Sequence, residues 1–240
     1  MPTRIEDIDR YLSAYFATER AAVEKDGTNV SRRRPFVTIS RQAGVGGHEL
    51  ADRMLEVFNG HPSRELFGGW QIYDRSICEI VAGDPRYSPH LETLRQEEYR
   101  SRASDFFHQM LRSTVDQDLV MKRVFLVVRA IAGMGKAIIV GRGGAQVTAD
   151  LPMGVSIRVI ATESDRVSRT MAVLGVGERA AINGGHKRDA DRARLCRSHF
   201  GVDIADPTGY DAVFNSSSMS KLEIAEAVAA MVSSRATIDR

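Results

Sequence analysis

The 240-residue chain predicts a three-layer α/β domain built on a mainly parallel five-stranded sheet. Three observations carry that expectation. Five short apolar runs alternate with longer amphipathic segments, the order that lays helices on both faces of a parallel sheet. The first run, FVTIS from Phe36, passes through a glycine loop directly into a helix, HELADRMLEVF. Polar, glycine- or arginine-bearing segments (SRQAGVGG, YDRS, GRGG, ATESDR) follow the first four runs in turn. That places all four at the carboxyl edge of the sheet, where such folds bind ligands.

The elements follow in order. Ile5, Ile8, Leu12, Tyr15 and Phe16 recur at helical spacing, so residues 4–24 read as an amphipathic helix. It packs on its own domain or on a second subunit, and residues 1–34 form an N-terminal helix and linker ahead of a domain spanning 35–240. After the glycine loop and its helix come the turn-rich NGHPSRELFGG, the strand WQIYD and the short helix RSICEIVAG. Asp84 to Pro89 is a loop. Leu91 to Ala132 is mostly helical, with Phe106 and Phe107 as core, and Gly133 and Gly135 stop it. AIIV and VSIRVIA are buried strands on either side of GRGG, and ESDRVSRTMAVL is the next helix. Residues 175–209, rich in glycine and arginine with weak periodicity beyond a helical core, read as a mobile lid that hinges at Gly175/Gly177 and Gly184/Gly185. YDAVFNS is the last strand and KLEIAEAVAAMV the last helix.

Composition narrows the function. With 43% hydrophobic and 27% charged residues, the chain has the balance of a soluble globular protein with a full core. A net charge of +2 gives no general case for a nucleic-acid partner, and Arg32, Arg33 and Arg34 lack the interleaved aromatics such a patch needs. Between Arg158 and Arg197 there are nine Lys/Arg against five Asp/Glu, which suits an anionic ligand or a solvated helix face. Cys78 and Cys196 form neither a disulfide framework nor a zinc spacing. The charged start and the lack of a membrane-length apolar run set the expectation of a cytoplasmic protein with no membrane partner.

Strand, glycine loop and helix together aim backbone N–H groups and a positive helix end at a phosphate. Laid on the phosphate-loop pattern G-x-x-x-x-G-K-[ST], Arg41 takes the first glycine's place, Gly46 the second, Gly47 the lysine's and His48 the hydroxyl residue's. His48 hydrogen-bonds a phosphate or caps its helix. Arginine forks match phosphate oxygens, and the chain offers Arg41, Arg142, Arg166, Arg169, Arg188 and Arg192. Arg166 and Arg169 bind phosphate or pair on the surface with Glu163 and Asp165. Arg188 and Arg192, four apart on a helix, face a ligand or water. Arg142 stands between glycines that let a ligand approach. Asp74, at a strand end, meets the ligand edge or caps the helix after it.

Through ISRQAGVGG, IYDRSI, IIVGRGG, ATESDRVSR, KRDADRAR and YDAVFNSSSMS, in that order over roughly residues 36–232, the chain resembles the cytidylate kinase-like family, a branch of the nucleoside monophosphate kinases. The resemblance implies a P-loop fold with a helical acceptor-binding insertion at about 84–132 and a mobile lid at about 175–209. It implies an ATP phosphate site on Gly44, Val45, Gly46, Gly47 and His48, to which Arg41, Arg166 and Arg169 add positive charge. It places Asp74 and Arg142 on the acceptor nucleotide. Arg142, Arg188, Asp189 and Arg192 are the expected catalytic set, with Asp191 and Arg194 offering the same lid spacing. Asp189 orients a lid arginine or meets Mg²⁺ through water, and no residue is assigned as a direct metal ligand. The expected reaction is ATP- and Mg²⁺-dependent phosphoryl transfer to a nucleoside monophosphate, CMP or dCMP first. The alternatives are a nucleotide-binding module without catalysis, which signals or assembles through its N-terminal helix, and a kinase for another small molecule; a homodimer through that helix is the expected protein partner.

Overall fold

A computed structural model describes residues 34–83 and 119–238. The helix expected over 4–24 with its dimer contact, the loop at 84–89, and the helical segment up to residue 118 with Phe106 and Phe107 lie outside the described residues. The elements are β1 (Phe36–Arg41), α1 (Gly47–Gly60), α2 (Arg64–Phe67), β2 (Gln71–Tyr73), α3 (Arg75–Gly83), α4 (Leu119–Met134), β3 (Ala137–Val140), α5 (Gly144–Val147), β4 (Gly154–Ile160), α6 (Glu163–Leu174), α7 (Glu178–Phe200), β5 (Ala212–Asn215) and α8 (Lys221–Ile238).

The sheet order is β2-β3-β1-β4-β5 and every pairing is parallel, so the sheet is wholly rather than mainly parallel. Side chains alternate across it with the period of two that strands impose. Val37 and Ile39 point to one face, where Leu50, Met54 and Phe58 of α1 and Ile224, Val228 and Val232 of α8 cover them. Phe36, Ala137 and Ile139 point to the other, against Phe125, Val128 and Ile131 of α4. Burial of both faces explains why the strands read as continuous apolar runs instead of an alternating pattern. Each large side chain buried here contributes about 1.5–3 kcal/mol.

The chain leaves β1 toward β2 on one side, and later leaves β3 to cross over to β4 on the other. The carboxyl ends of β1 and β3 therefore flank the point where the winding reverses, the crevice in which such sheets take ligands.

The structure adds detail to three expectations. Gly133 lies inside α4, and the helix ends at Gly135, whose φ of 71° is left-handed. Residues Val124 to Ala132, at the end of the expected insertion, are all buried, Arg129 among them. The weakly periodic lid segment contains one continuous helix of 23 residues, with Gly184 and Gly185 inside it and Gly177 at its N-cap. No described helix is long and apolar enough to cross a membrane.

A Cβ placed on Gly154 would stand 2.6 Å from Cζ of Phe36, whose ring is fixed in the core. Gly154→Ala is expected to lower stability by about 1–3 kcal/mol through overpacking, read as a shifted urea midpoint. An unchanged midpoint would show that the Phe36 ring yields freely.

Candidate active site

The loop that joins β1 to α1 turns through two left-handed glycines, Gly44 at φ 87° and Gly46 at φ 76°. Gly46 is the N-cap of α1 and supplies no side-chain cap, so the first N–H groups of a 14-residue helix open onto the loop. Val45 anchors the turn from below, its side chain buried in the core. His48 is exposed and does not cap the helix; its Nε2 lies 3.5 Å from Asp74 Oδ2. Asp74 ends β2, and its carbonyl accepts the N–H of Cys78 at 3.2 Å, opening α3.

Helices α6 and α7 press on this loop from outside. Asp189 of α7 is the hub: Oδ1 accepts the N–H of Ala43 at 2.7 Å and Arg192 Nη1 at 3.0 Å, while Oδ2 accepts Arg166 Nη1 at 2.9 Å. The two arginines reach the loop's carbonyls as well, Arg166 to Ala43 and Arg192 to Arg41, each at 3.3 Å. Arg169 covers Gly46, where a Cβ would meet its guanidinium at 2.6–2.8 Å, and pairs with Glu49. Lys221 Nζ, from the start of α8, lies 3.1 Å from the same carboxylate. The expected surface pairing of Arg166 and Arg169 with Glu163 and Asp165 does not form. Glu163 instead faces His186, and Asp165 receives the Thr162 hydroxyl. The two candidate lid pairs lie in different surroundings. Asp189 and Arg192 meet the loop, whereas Asp191 and Arg194 face each other at 3.5 Å on an exposed stretch.

On the other side of Arg41 lies a cavity of about 340 Å³ whose wall includes Arg41, Arg75, Arg142, Arg188 and Arg192. Arg142 takes a φ of 56° between Gly141 and Gly143, and its Nη1 donates to Glu79 at 3.0 Å. Gly141 is required by Arg41: a Cβ there would stand 2.0 Å from Arg41 Nη1. Arg188 makes no hydrogen bond or ion pair among the described residues and is exposed at the rim. Burial, followed by repulsion from Arg192 and Arg142, lowers the Arg41 pKa to about 10. Burial likewise lowers Arg142, with Arg75 the next cause, and Arg192. All three stay cationic at neutral pH, but in surroundings that favour an anion beside them. The Nε atoms of Arg142 and Arg166 are buried with no hydrogen-bond partner among the described residues, as donors awaiting an acceptor would be.

Behind the cavity wall, Arg158 is buried at 7% exposure with no carboxylate partner among the described residues. Its Nη1 donates to Ser40 Oγ at 3.0 Å, and Tyr210 Oη lies 3.1 Å from that hydroxyl while donating to the Ile204 carbonyl at 3.0 Å. Cys196, also on the wall, is pushed up to about 11 by burial, so it is a thiol rather than a nucleophilic thiolate at neutral pH.

The sequence singled out Arg41, Arg142, Arg188 and Arg192, and these meet at one cavity. It placed Gly44 to His48 with Arg166 and Arg169, and these meet at one loop. It missed Arg75, Glu79, Glu49, Arg158 and Lys221. The i,i+4 spacing of Arg75 and Glu79 just after a strand end was the available signal for that pair.

The model of the cytidylate kinase-like family matches residues 36–218, and the chain belongs to that family. Membership makes it a kinase-type protein and implies ATP as the phosphoryl donor. An uncharacterized protein from Eubacterium ventriosum has the same fold, with a TM-score of 0.63 at 19% identity over 85% of this chain and 99% of that one. A shikimate kinase from Bacteroides thetaiotaomicron gives a TM-score of 0.44 at 10% identity over 83% and 98% of the two chains. Comparison with curated protein sequences gives no match.

Asp189→Asn removes the charge that holds Ala43, Arg166 and Arg192 together, at a cost of about 1.5–3 kcal/mol. Hydrogen exchange of the Ala43 amide and of α7 is expected to accelerate tenfold or more. Unchanged exchange would mean that α7 is held to the loop by packing alone.

Proposed function

We propose that this protein transfers the γ-phosphoryl group of ATP to a small phosphate-bearing acceptor, with the nucleoside monophosphates CMP and dCMP as first candidates. The observation that carries the reading is the arginine-walled cavity at the reversal point of the sheet, separated from the glycine loop only by Arg41. Donor phosphates on the loop and an acceptor phosphate in the cavity would meet across that one guanidinium.

The residues present suit this division of labour. Gly44 to His48 give a backbone cradle at the start of α1, and the orphan Nε of Arg166 and the guanidinium of Arg169 flank it. Arg142, Arg188 and Arg192 would hold the acceptor, whose phosphate oxygen is already anionic at neutral pH and needs no general base. Phosphoryl transfer then asks mainly for alignment and for neutralisation of charge on the moving group. Closely placed guanidiniums supply both, and helix α7 excludes water from the junction. Among the described residues, no group of three or more His, Cys, Asp or Glu is placed to hold a metal ion. Mg²⁺ accompanying ATP would therefore be held chiefly by phosphate oxygens, in keeping with its habit, with charge neutralisation as its contribution. The cytoplasm, where nucleotides are abundant, is the proposed setting.

A second reading, a nucleotide-binding module without turnover, draws on Gly47. It stands where a phosphate loop carries lysine, and the nearby cations Arg169 and Lys221 are both engaged by Glu49.

Phosphorus NMR of the protein with Mg-ATP and a panel of nucleoside monophosphates decides between the two. New diphosphate resonances with matching ADP are expected. Perturbed ATP resonances without transfer would favour the binding module. In the active enzyme, Arg142→Ala is expected to reduce kcat/KM for the acceptor by about 10²–10³ while sparing ATP affinity. Unchanged kinetics would remove Arg142 from the site.

A further inference from the structure

Helix α3 brings a second arginine to the cavity wall together with the carboxylate that holds it. Arg75 opens the helix immediately after Asp74 and lines the cavity beside Arg142. Glu79, one turn later, accepts Arg75 Nε at 2.9 Å and Arg142 Nη1 at 3.0 Å on one and the same oxygen, Oε1. A single atom thus ties together guanidiniums that follow different strands, Arg75 after β2 and Arg142 after β3. Each guanidinium carries five N–H donors, and Glu79 takes one from each. Arg142 Nε remains buried and unpaired, and the Arg142 side chain is only 17% exposed. The backbone of Arg142 sits in the left-handed region, a conformation that non-glycine residues keep where the surroundings impose it, often at ligand clamps.

We propose that Arg75 and Arg142 form a two-arginine clamp for the phosphate of the acceptor, and that Glu79 is both its positioning residue and its internal competitor. The proposal rests on the reading of this cavity as the acceptor site. The two effects of Glu79 have opposite signs. Its oxygen aligns the forks, so that their remaining donors converge on a tetrahedral oxyanion. Its negative charge, next to that oxyanion, opposes binding. Glutamine keeps an oxygen able to accept both arginines and removes the charge; alanine removes both.

The test is calorimetric titration with CMP, and with ATP as control, alongside thermal stabilisation by inorganic phosphate, on the wild type and three variants. Glu79→Gln is expected to tighten CMP and phosphate binding about threefold, through loss of a like charge. Glu79→Ala is expected to weaken both about tenfold, and Arg75→Gln tenfold or more, with ATP binding unchanged in every case. A merely structural Glu79 would move its two variants in the same direction. That result, or an unaltered Arg75→Gln, overturns the clamp while leaving the acceptor reading standing. If the wild type binds phosphate but no nucleotide, the acceptor reading falls and the phosphate series alone decides the clamp. No stabilisation by phosphate in the wild type overturns the clamp.

Discussion

Asp189 reaches from the long helix α7 into the loop after the first strand. There it holds one backbone N–H and two guanidiniums within 3.0 Å. Take that carboxylate away and three things come loose together: the loop amide at Ala43, the position of Arg166 against α6, and the position of Arg192 at the cavity. Helix α7 meets the glycine loop through Asp189 and Arg192, and α6 meets it through Arg166 and Arg169. These contacts are electrostatic, although Phe200 also anchors α7 in the hydrophobic core, and they are sensitive to salt and to competing anions in a way the core is not.

The cavity next to it is organised by a shortage of carboxylates. Arg41, Arg75, Arg142, Arg188 and Arg192 share its wall, and Arg158 stands behind it. Glu79 and Asp189 each serve more than one arginine, and Asp191 also serves Lys187 and Arg194. Among the described residues no carboxylate neutralises Arg158, which instead lies near the Tyr210 ring, with Cζ 5.7 Å from its centroid. Burying guanidiniums with so few counter-charges is unfavourable unless something anionic completes the set. The uncompleted hydrogen bonds at Arg142 and Arg166 mark where completion is needed.

Much of the fold was legible in the sequence because its signals are local. The apolar runs at Phe36, Ala137 and Val155 are strands because both sheet faces are buried. The helices Arg75–Gly83 and Glu163–Leu174 start and stop where their flanking residues say. Gly133 misled because it lies exposed one residue before the helix end, where the burial of the preceding turns outweighs its low propensity. A helical core was legible in the lid but its full extent was not, for the opposite reason: the helix is 23 residues long but buries only Ala181, Gly185, Cys196 and Phe200, so it leaves little apolar periodicity. Site residues drawn from turns and strand ends were visible because topology gathers them. Partners set by side-chain direction were not. Nothing in the linear order tells Arg166 to choose Asp189, 23 positions away, over its neighbour Asp165, or Arg142 to choose Glu79.

The glycine loop also has an implication for the thermodynamics of ligand capture. Gly44 and Gly46 are needed by the protein itself, since a Cβ on either would strike Arg166, Thr170 or Arg169. The loop's shape is therefore already fixed by the side chains packed against it before any ligand arrives. An incoming anion need not order a floppy backbone, and the conformational entropy of that ordering has been absorbed into folding. Association at this loop is then a docking of rigid partners.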